Sequence, residues 1–238
     1  VDKLVKDESA DAETTGSDGW GESADHAINE VFKFKLAATV PADVQVPRYE
    51  TYAVTFVDTY ESYIDWVGNE TVTITFKKAD GTDLPVTLAK TDYTLSHATE
   101  KDTEPKRGFE LAISDIKALA PEGADLSNEI KIDVVYDAKL NETAPKLAPT
   151  AADTKQTDSS DNTVKLKYSN KPDASGSGTT QPEGETPDDT VFVFTYKMPN
   201  TKVDADGKAL AGAGFKLYKD ANCTEEVPVY KHTDGNYY

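Results

Sequence analysis

The chain has 238 residues, with 25 Lys and Arg against 43 Asp and Glu and a formal net charge of −18. That excess of negative charge repels nucleic acid and anionic membrane surfaces, so neither is expected as a partner. A hydrophobic fraction of 37 %, with 12 Tyr and 8 Phe, is too apolar and aromatic for a wholly disordered chain, and the length suits one large or two modest β domains.

The single cysteine, Cys223, cannot form an internal disulfide, so a covalent staple within this chain must use other chemistry. No apolar run approaches the length of a membrane span, and no signal peptide is recognisable. The pattern is already strand-like at Val1, so the sequence is expected to be an interior fragment of a longer protein.

In chain order, Val1–Lys6 is expected to form a short strand with Val1, Lys3 and Val5 on one face. A polar loop follows to about Asp25, with Trp20 expected to pin it to the domain. Val31–Val40 alternates at period two and stops at Pro41. Tyr52–Val57 reads as a strand ended by Asp58 and Thr59. Val72–Phe76 alternates cleanly, and Asp80-Gly81 supplies turn chemistry. Tyr93–Leu95 and Phe109–Ile113 are short strands, and Ser114–Leu119 a short helical turn before Pro121. Ile130–Tyr136 and Thr163–Tyr168 are strong strands, as is Val191–Lys197. Ser169–Asp189 has the composition of a flexible linker. Many short strands with no long helical period predict an all-β sandwich.

Two stretches resemble known modules. Asn200-Thr201-Lys202-Val203-Asp204, continuing to Phe215-Lys216-Leu217-Tyr218-Lys219, resembles the opening strands of a collagen-adhesin B-type (Cna-B) immunoglobulin-like domain. The rest resembles, in ordered pieces, the middle domain of sortase-assembled shaft pilins of Gram-positive bacteria. These pieces are Val1–Asp7, Phe34–Asp43, Tyr49–Tyr52 with Thr55–Thr59, Val134–Tyr136 with Ala138–Glu142, Asn162–Asn170, and Thr186–Val191. The chain departs from that pattern at Ile28-Asn29-Glu30, where the family often has Ile-Gly-Asp, and in the loop after Asn170. The resemblance implies immunoglobulin-like, Cna-type β-sandwich domains in tandem: an isopeptide-forming pilin domain over 1–190, then the truncated start of a Cna-B-like domain over 191–238. It also implies an extracellular, cell-wall-anchored pilus whose partners are other copies of the pilin, a class C sortase during assembly, and host surface ligands. No cofactor and no enzymatic turnover are implied. The rival readings are the stalk of a tip or base adhesin and the accessory β-sandwich of a surface carbohydrate-active enzyme.

The same resemblance implies an internal isopeptide bond from Lys3 to Asn170, assisted by Asp58. Such a bond needs a deprotonated lysine, and burial disfavours the ammonium. It needs a polarised Asn carbonyl, which a buried, protonated carboxylic acid provides. It needs the amine held against the carbonyl carbon, so that positioning replaces concentration. Lys3 shares a face with Val1 and Val5, while Asp58 and Asn170 each follow a strand. The competing reading is an exposed strand lysine, a strand-end cap at Asp58 and a turn residue at Asn170. Lys6 is the rival amine and Asn162 the rival acceptor. In the second domain, Lys202 before Val203-Asp204 is the implied amine donor, with its acceptor beyond Tyr238.

Other motifs are weaker. His26, His97 and His232 lack metal-ligand spacing. Asp204-Ala205-Asp206-Gly207 is better read as a turn than as the start of a calcium loop. Asn69-Glu70-Thr71 and Asn141-Glu142-Thr143 fit the glycosylation pattern, which has little weight in a bacterial protein.

Overall fold

The structure is a computed structural model, which describes residues 1–7, 18–97, 106–146, 159–172, 182–196, 202–212, 214–218, 220–227 and 229. Its strands are β1 (Asp2–Lys6), β2 (Trp20–Gly21), β3 (Ser23–Asp25), β4 (Val31–Val40), β5 (Val54–Glu61), β6 (Ile64–Lys77), β7 (Asp83–Thr87), β8 (Thr94–His97), β9 (Lys106–Ile113), β10 (Ile130–Leu140), β11 (Ser160–Ser169), β12 (Glu183–Glu185), β13 (Asp189–Phe194), β14 (Leu217–Tyr218) and β15 (Glu226–Val227). Three short 3-10 turns interrupt them, one of them at Ile116–Leu119 as the sequence predicts.

Two sheets carry the sandwich. The first runs β2-β1-β4-β10-β6-β7, and the second β3-β13-β11-β5-β9-β8, with β12 continuing beside β11. Period-two alternation decides which side chains go inside. In β4, Phe32, Phe34, Leu36, Ala38 and Val40 are buried while Val31, Lys33 and Thr39 are exposed. In β10, Ile130, Ile132, Val134 and Tyr136 face the same core. The opposing sheet contributes Val54, Phe56, Phe109, Leu111, Val164, Leu166, Val191 and Val193.

Several elements extend beyond the sequence expectation. β5 continues through Asp58 and Thr59 to Glu61, because both its neighbours pair along that whole length. Asp58 is therefore mid-strand rather than a strand-end cap. Trp20 does sit against the body, its ring under Lys6 and Lys35, but the polar loop it belongs to also forms β2 and β3.

The expected boundary at 190/191 falls inside β13. That strand pairs antiparallel with β11 and parallel with β3, so Val191 and Val193 belong to this core. Beyond it, Val203 bridges Ala209 around a turn in which Asp204 accepts hydrogen bonds from the backbone of Asp206 and Lys208. β14 and β15 pair with one another, and Phe215 is exposed.

Candidate functional site: a buried lysine, acid and amide between the sheets

β1 is short, and its register places it. Lys3 stands opposite Leu36 of β4, which stands opposite Val134 of β10, while Val5, Phe34 and Tyr136 form the next row. Lys3 is thus on the inner face of the first sheet, only 1 % exposed. Its backbone N–H donates to Asp189 Oδ2 at 2.6 Å, tying the strand to the start of β13. The second sheet presents Asp58 opposite Val164 of β11 and Phe109 of β9, and presents Asn162 opposite Tyr60.

Four polar side chains meet between the sheets. Lys3 Nζ donates to Asp58 Oδ2. The Tyr136 hydroxyl lies 3.3 Å from both Asp58 oxygens and accepts from Asn162 Nδ2 at 2.7 Å. Asn162 is fully buried, and its Oδ1 has no hydrogen-bond partner among the described residues. Aromatic rings surround the group. Lys3 Nζ is 5.3 Å from the Phe34 ring centre and 5.8 Å from that of Tyr136, and Tyr136 packs between Trp66, Phe109 and Phe34.

That environment shifts the titration of each group. Burial pulls the Lys3 amine below its ordinary value, and the attraction of Asp58 only partly offsets it. Burial pushes the Asp58 carboxyl up, against the pull of Lys3 and the Tyr136 hydrogen bond. Both shifts favour the neutral forms, an amine and a carboxylic acid. Burial also raises the Tyr136 phenol well above its ordinary value. The shifts toward a neutral amine and a neutral acid meet two of the three conditions for lysine–asparagine amide formation, while the carbonyl of Asn162 receives no polarising hydrogen bond from the described residues in this geometry.

The structure brings together Lys3 and Asp58 but not Asn170. Alternation along β11 holds inward from Ser160 through Asn162 and Val164 to Leu166, then slips. Ser169 turns inward, its hydroxyl accepting from the Ala53 N–H, and Asn170 emerges exposed. Asn162, the rival acceptor, is the amide in the cluster. Lys6, the rival amine, points the other way to the Asp18 carbonyl and the Trp20 ring. Lys202 is exposed, and its carbonyl accepts from the Leu210 N–H. The sequence alone gives Tyr136 no role, and its place in the alternating start of β10 puts it on the core face.

Elsewhere, His26 stacks on Phe32 with ring centres 4.1 Å apart, and His97 packs on Trp66. His232 lies outside the described residues. Among the described residues, no group of three or more His, Cys, Asp and Glu side chains is placed to hold a metal ion, and no helix is long and apolar enough to cross a membrane. Cys223 is free and exposed.

A second lysine–aspartate–asparagine trio makes an instructive contrast. Lys33 Nζ pairs with Asp137, which also accepts from Asn69 Nδ2 at 2.9 Å, beside an irregularity between β6 and β10. Here the lysine side chain is 48 % exposed, and its hydrogen bond helps hold Asp137 below the usual carboxylate range. The residue types repeat, but here the charged carboxylate of Asp137 is favoured rather than the neutral acid.

The architecture is an immunoglobulin-like β-sandwich, and its structural neighbours include backbone pilins. The 35 kDa C-terminal fragment of the major pilin GBS80 of Streptococcus agalactiae matches over 98 % of this chain and 76 % of its own, at 19 % identity and a TM-score of 0.52. At that identity the likeness establishes the fold. Two further pilins are less similar. The pilus backbone protein RrgB of Streptococcus pneumoniae matches over 64 % of this chain and 46 % of its own, at 20 % identity and a TM-score of 0.40. BcpA, the major pilin subunit of Bacillus cereus, matches over 99 % and 61 %, at 15 % identity and a TM-score of 0.45. The chain thus spans less than half of the RrgB chain and about three fifths of BcpA. No protein-family model matches the chain, and no curated protein does.

Proposed function

We propose that this chain is part of a structural shaft subunit of a covalently polymerised cell-surface pilus, and that its sandwich is locked by a self-formed amide between Lys3 and Asn162, with Asp58 as the assisting acid. The observation that carries the reading is the continuous buried line Lys3–Asp58–Tyr136–Asn162 between the two sheets. The Lys3 amine would displace ammonia from the Asn162 amide once, giving a permanent tie rather than turnover. Because Lys3 is on one sheet and Asn162 on the other, the tie would resist pulling the sheets apart, which suits a fibre under load.

The fold shared with a major pilin supports the shaft assignment. In this reading the partners are further copies of the subunit, joined by a class C sortase at an extracellular, wall-anchored fibre. The segment after β13 is the opening of a second, Cna-B-like domain.

Two experiments test the two halves separately. The intact mass of the folded protein should be one ammonia below the sequence mass, and a tryptic digest should contain a branched peptide joining the Lys3 and Asn162 segments. An unmodified mass in folded protein would sink the amide. The full-length gene, expressed with a class C sortase in a Gram-positive host, should give a ladder of detergent-resistant polymers. Monomer alone would sink the shaft role.

A further inference from the structure

Tyr136 is the group that hydrogen-bonds the amide of Asn162. It comes from β10 of the first sheet, whereas Asn162 comes from β11 of the second. Its oxygen accepts from Nδ2 at 2.7 Å and lies equally far, 3.3 Å, from the two Asp58 oxygens. Asp58 therefore reaches Asn162 through the Tyr136 hydroxyl. The ring that carries the hydroxyl is packed against Trp66, Phe109 and Phe34. It touches the nitrogen that must depart if the amide with Lys3 is to form.

We infer that Tyr136 is a catalytic residue of this self-crosslinking step, orienting the Asn162 amide and delivering the proton on which its nitrogen leaves as ammonia. The inference rests on the proposed Lys3–Asn162 amide and adds a chemical role to it.

The proton path balances. Before reaction the Asn162 nitrogen lone pair is delocalised into the carbonyl, so Nδ2 only donates, and Tyr136 accepts. When neutral Lys3 Nζ bonds to Cγ, the carbonyl electron pair moves onto Oδ1, and the Nδ2 lone pair becomes localised. Nδ2 is now an acceptor, and the hydrogen bond to Tyr136 reverses. The phenol proton passes to Nδ2 as the Asp58 carboxyl proton passes to the phenol oxygen. The carbonyl re-forms, the Cγ–Nδ2 bond breaks and ammonia departs. Nζ, which carries one proton too many after attack, returns it to Asp58 across their direct hydrogen bond. Asp58 and Tyr136 end as they began, and no outside acid, base or oxidant is consumed. A free phenolate is never needed, which matters because burial disfavours it.

The test starts the reaction at a defined time. Protein recovered unfolded and uncrosslinked in urea is diluted into buffer, and ammonia loss is followed by intact mass while folding is followed by circular dichroism. Tyr136→Phe should fold yet crosslink at least tenfold more slowly, in line with loss of one general acid. Protein carrying 3-fluorotyrosine at position 136 regains the hydroxyl in nearly the same shape and should crosslink again. Its rate should differ from that of the parent by on the order of threefold, because proton-transfer rates follow the acidity of the donor.

A folded Tyr136→Phe that crosslinks at the parent rate overturns the role. If that variant does not fold, the fluorinated protein decides, and a rate equal to the parent's overturns the role. A parent protein that folds and never loses ammonia sinks the amide itself, a separate outcome from either.

Discussion

Lys3 on β1 meets Asp58 on β5 across the space between the two sheets, and neither side chain is exposed at all. A charged pair in that position loses its hydration on both sides, and mutual attraction seldom repays the loss in full. Burial shifts both groups toward their neutral forms, which lessens the penalty and favours a nucleophilic amine beside an acid. The chemical poise of the site follows from where two strands put two side chains.

Asp58→Ala removes the acid and leaves the Lys3 amine without its partner. This variant should fold but retain its ammonia. The comparison for stability is Asn162→Ala, which is also uncrosslinked but keeps the pair. Against it, Asp58→Ala should lose about 1–3 kcal/mol, the cost of leaving a buried polar group without its hydrogen-bond partner. Urea unfolding measures the difference. Crosslinking of Asp58→Ala at the parent rate removes Asp58 from the chemistry.

The raised pKa of Asp58 gives a pH signature with a definite sign. A carboxyl whose folded value lies above its unfolded value of 3.8 is protonated more readily in the folded state. Its burial therefore costs nothing at acid pH, and stability is lost as pH rises from 3.8 through the folded value. Lys3→Ala exposes this slope, because it removes both the proposed crosslink and the partner whose attraction and hydrogen bond pull the carboxyl down. Its urea midpoint should fall as pH rises above 3.8. Lys3→Ala combined with Asp58→Asn should lose that component of the fall, and equal slopes in the two proteins would contradict the assignment.

Gly108 supports the same site from β9. It lies opposite Thr59, and a Cβ built on it would overlap the Asp58 carbonyl oxygen. The obstacle is backbone, so no side chain can swing away. Gly108→Ala should separate β9 from β5 at Asp58 and cost about 1–3 kcal/mol, as overpacking typically does. The fraction crosslinked after a fixed folding time should drop with it. A variant as stable as the parent would show that the two strands can part there freely.

Much of the sandwich was legible because period-two alternation is a direct record of which face is wet. β4, β10 and the centre of β11 read correctly for that reason. β2, β3 and β7 did not, since two- to five-residue edge strands with polar sequences carry no such record. The extension of β5 past Asp58 was hidden because a buried polar residue looks like a strand end. In the site, Lys3 was legible from Val1 and Val5 beside it. The acceptor was not, because Asn162 and Asn170 have the same parity. Only the slip at Ser169, a tertiary event in which its hydroxyl caps Ala53, separates them.

The Lys33–Asp137–Asn69 trio is the internal control for burial. Lys33→Ala should leave the ammonia loss unchanged and shift stability by no more than about 1 kcal/mol, since its side chain is half exposed. Mass spectrometry of the same digest should find Lys33 and Asn69 unlinked. A branched peptide between them would show that residue types alone, without burial, suffice for the reaction.

The choice between the two asparagines is decided by paired substitutions. Asn170 is exposed, and its backbone N–H donates to the Pro182 carbonyl, so Asn170→Ala disturbs no buried side-chain contact. That variant should lose one ammonia like the parent. Asn162→Ala should keep the full sequence mass. It should also be less stable, because the proposed amide between Lys3 and Asn162 would close a loop of well over a hundred residues. Such a closure stabilises by about 5 kcal/mol in the chain-entropy description. The difference should survive dithiothreitol, since the tie is an amide and Cys223 is the only cysteine. The reverse result, with Asn170→Ala uncrosslinked and Asn162→Ala crosslinked, would mean that β11 shifts register before the bond forms.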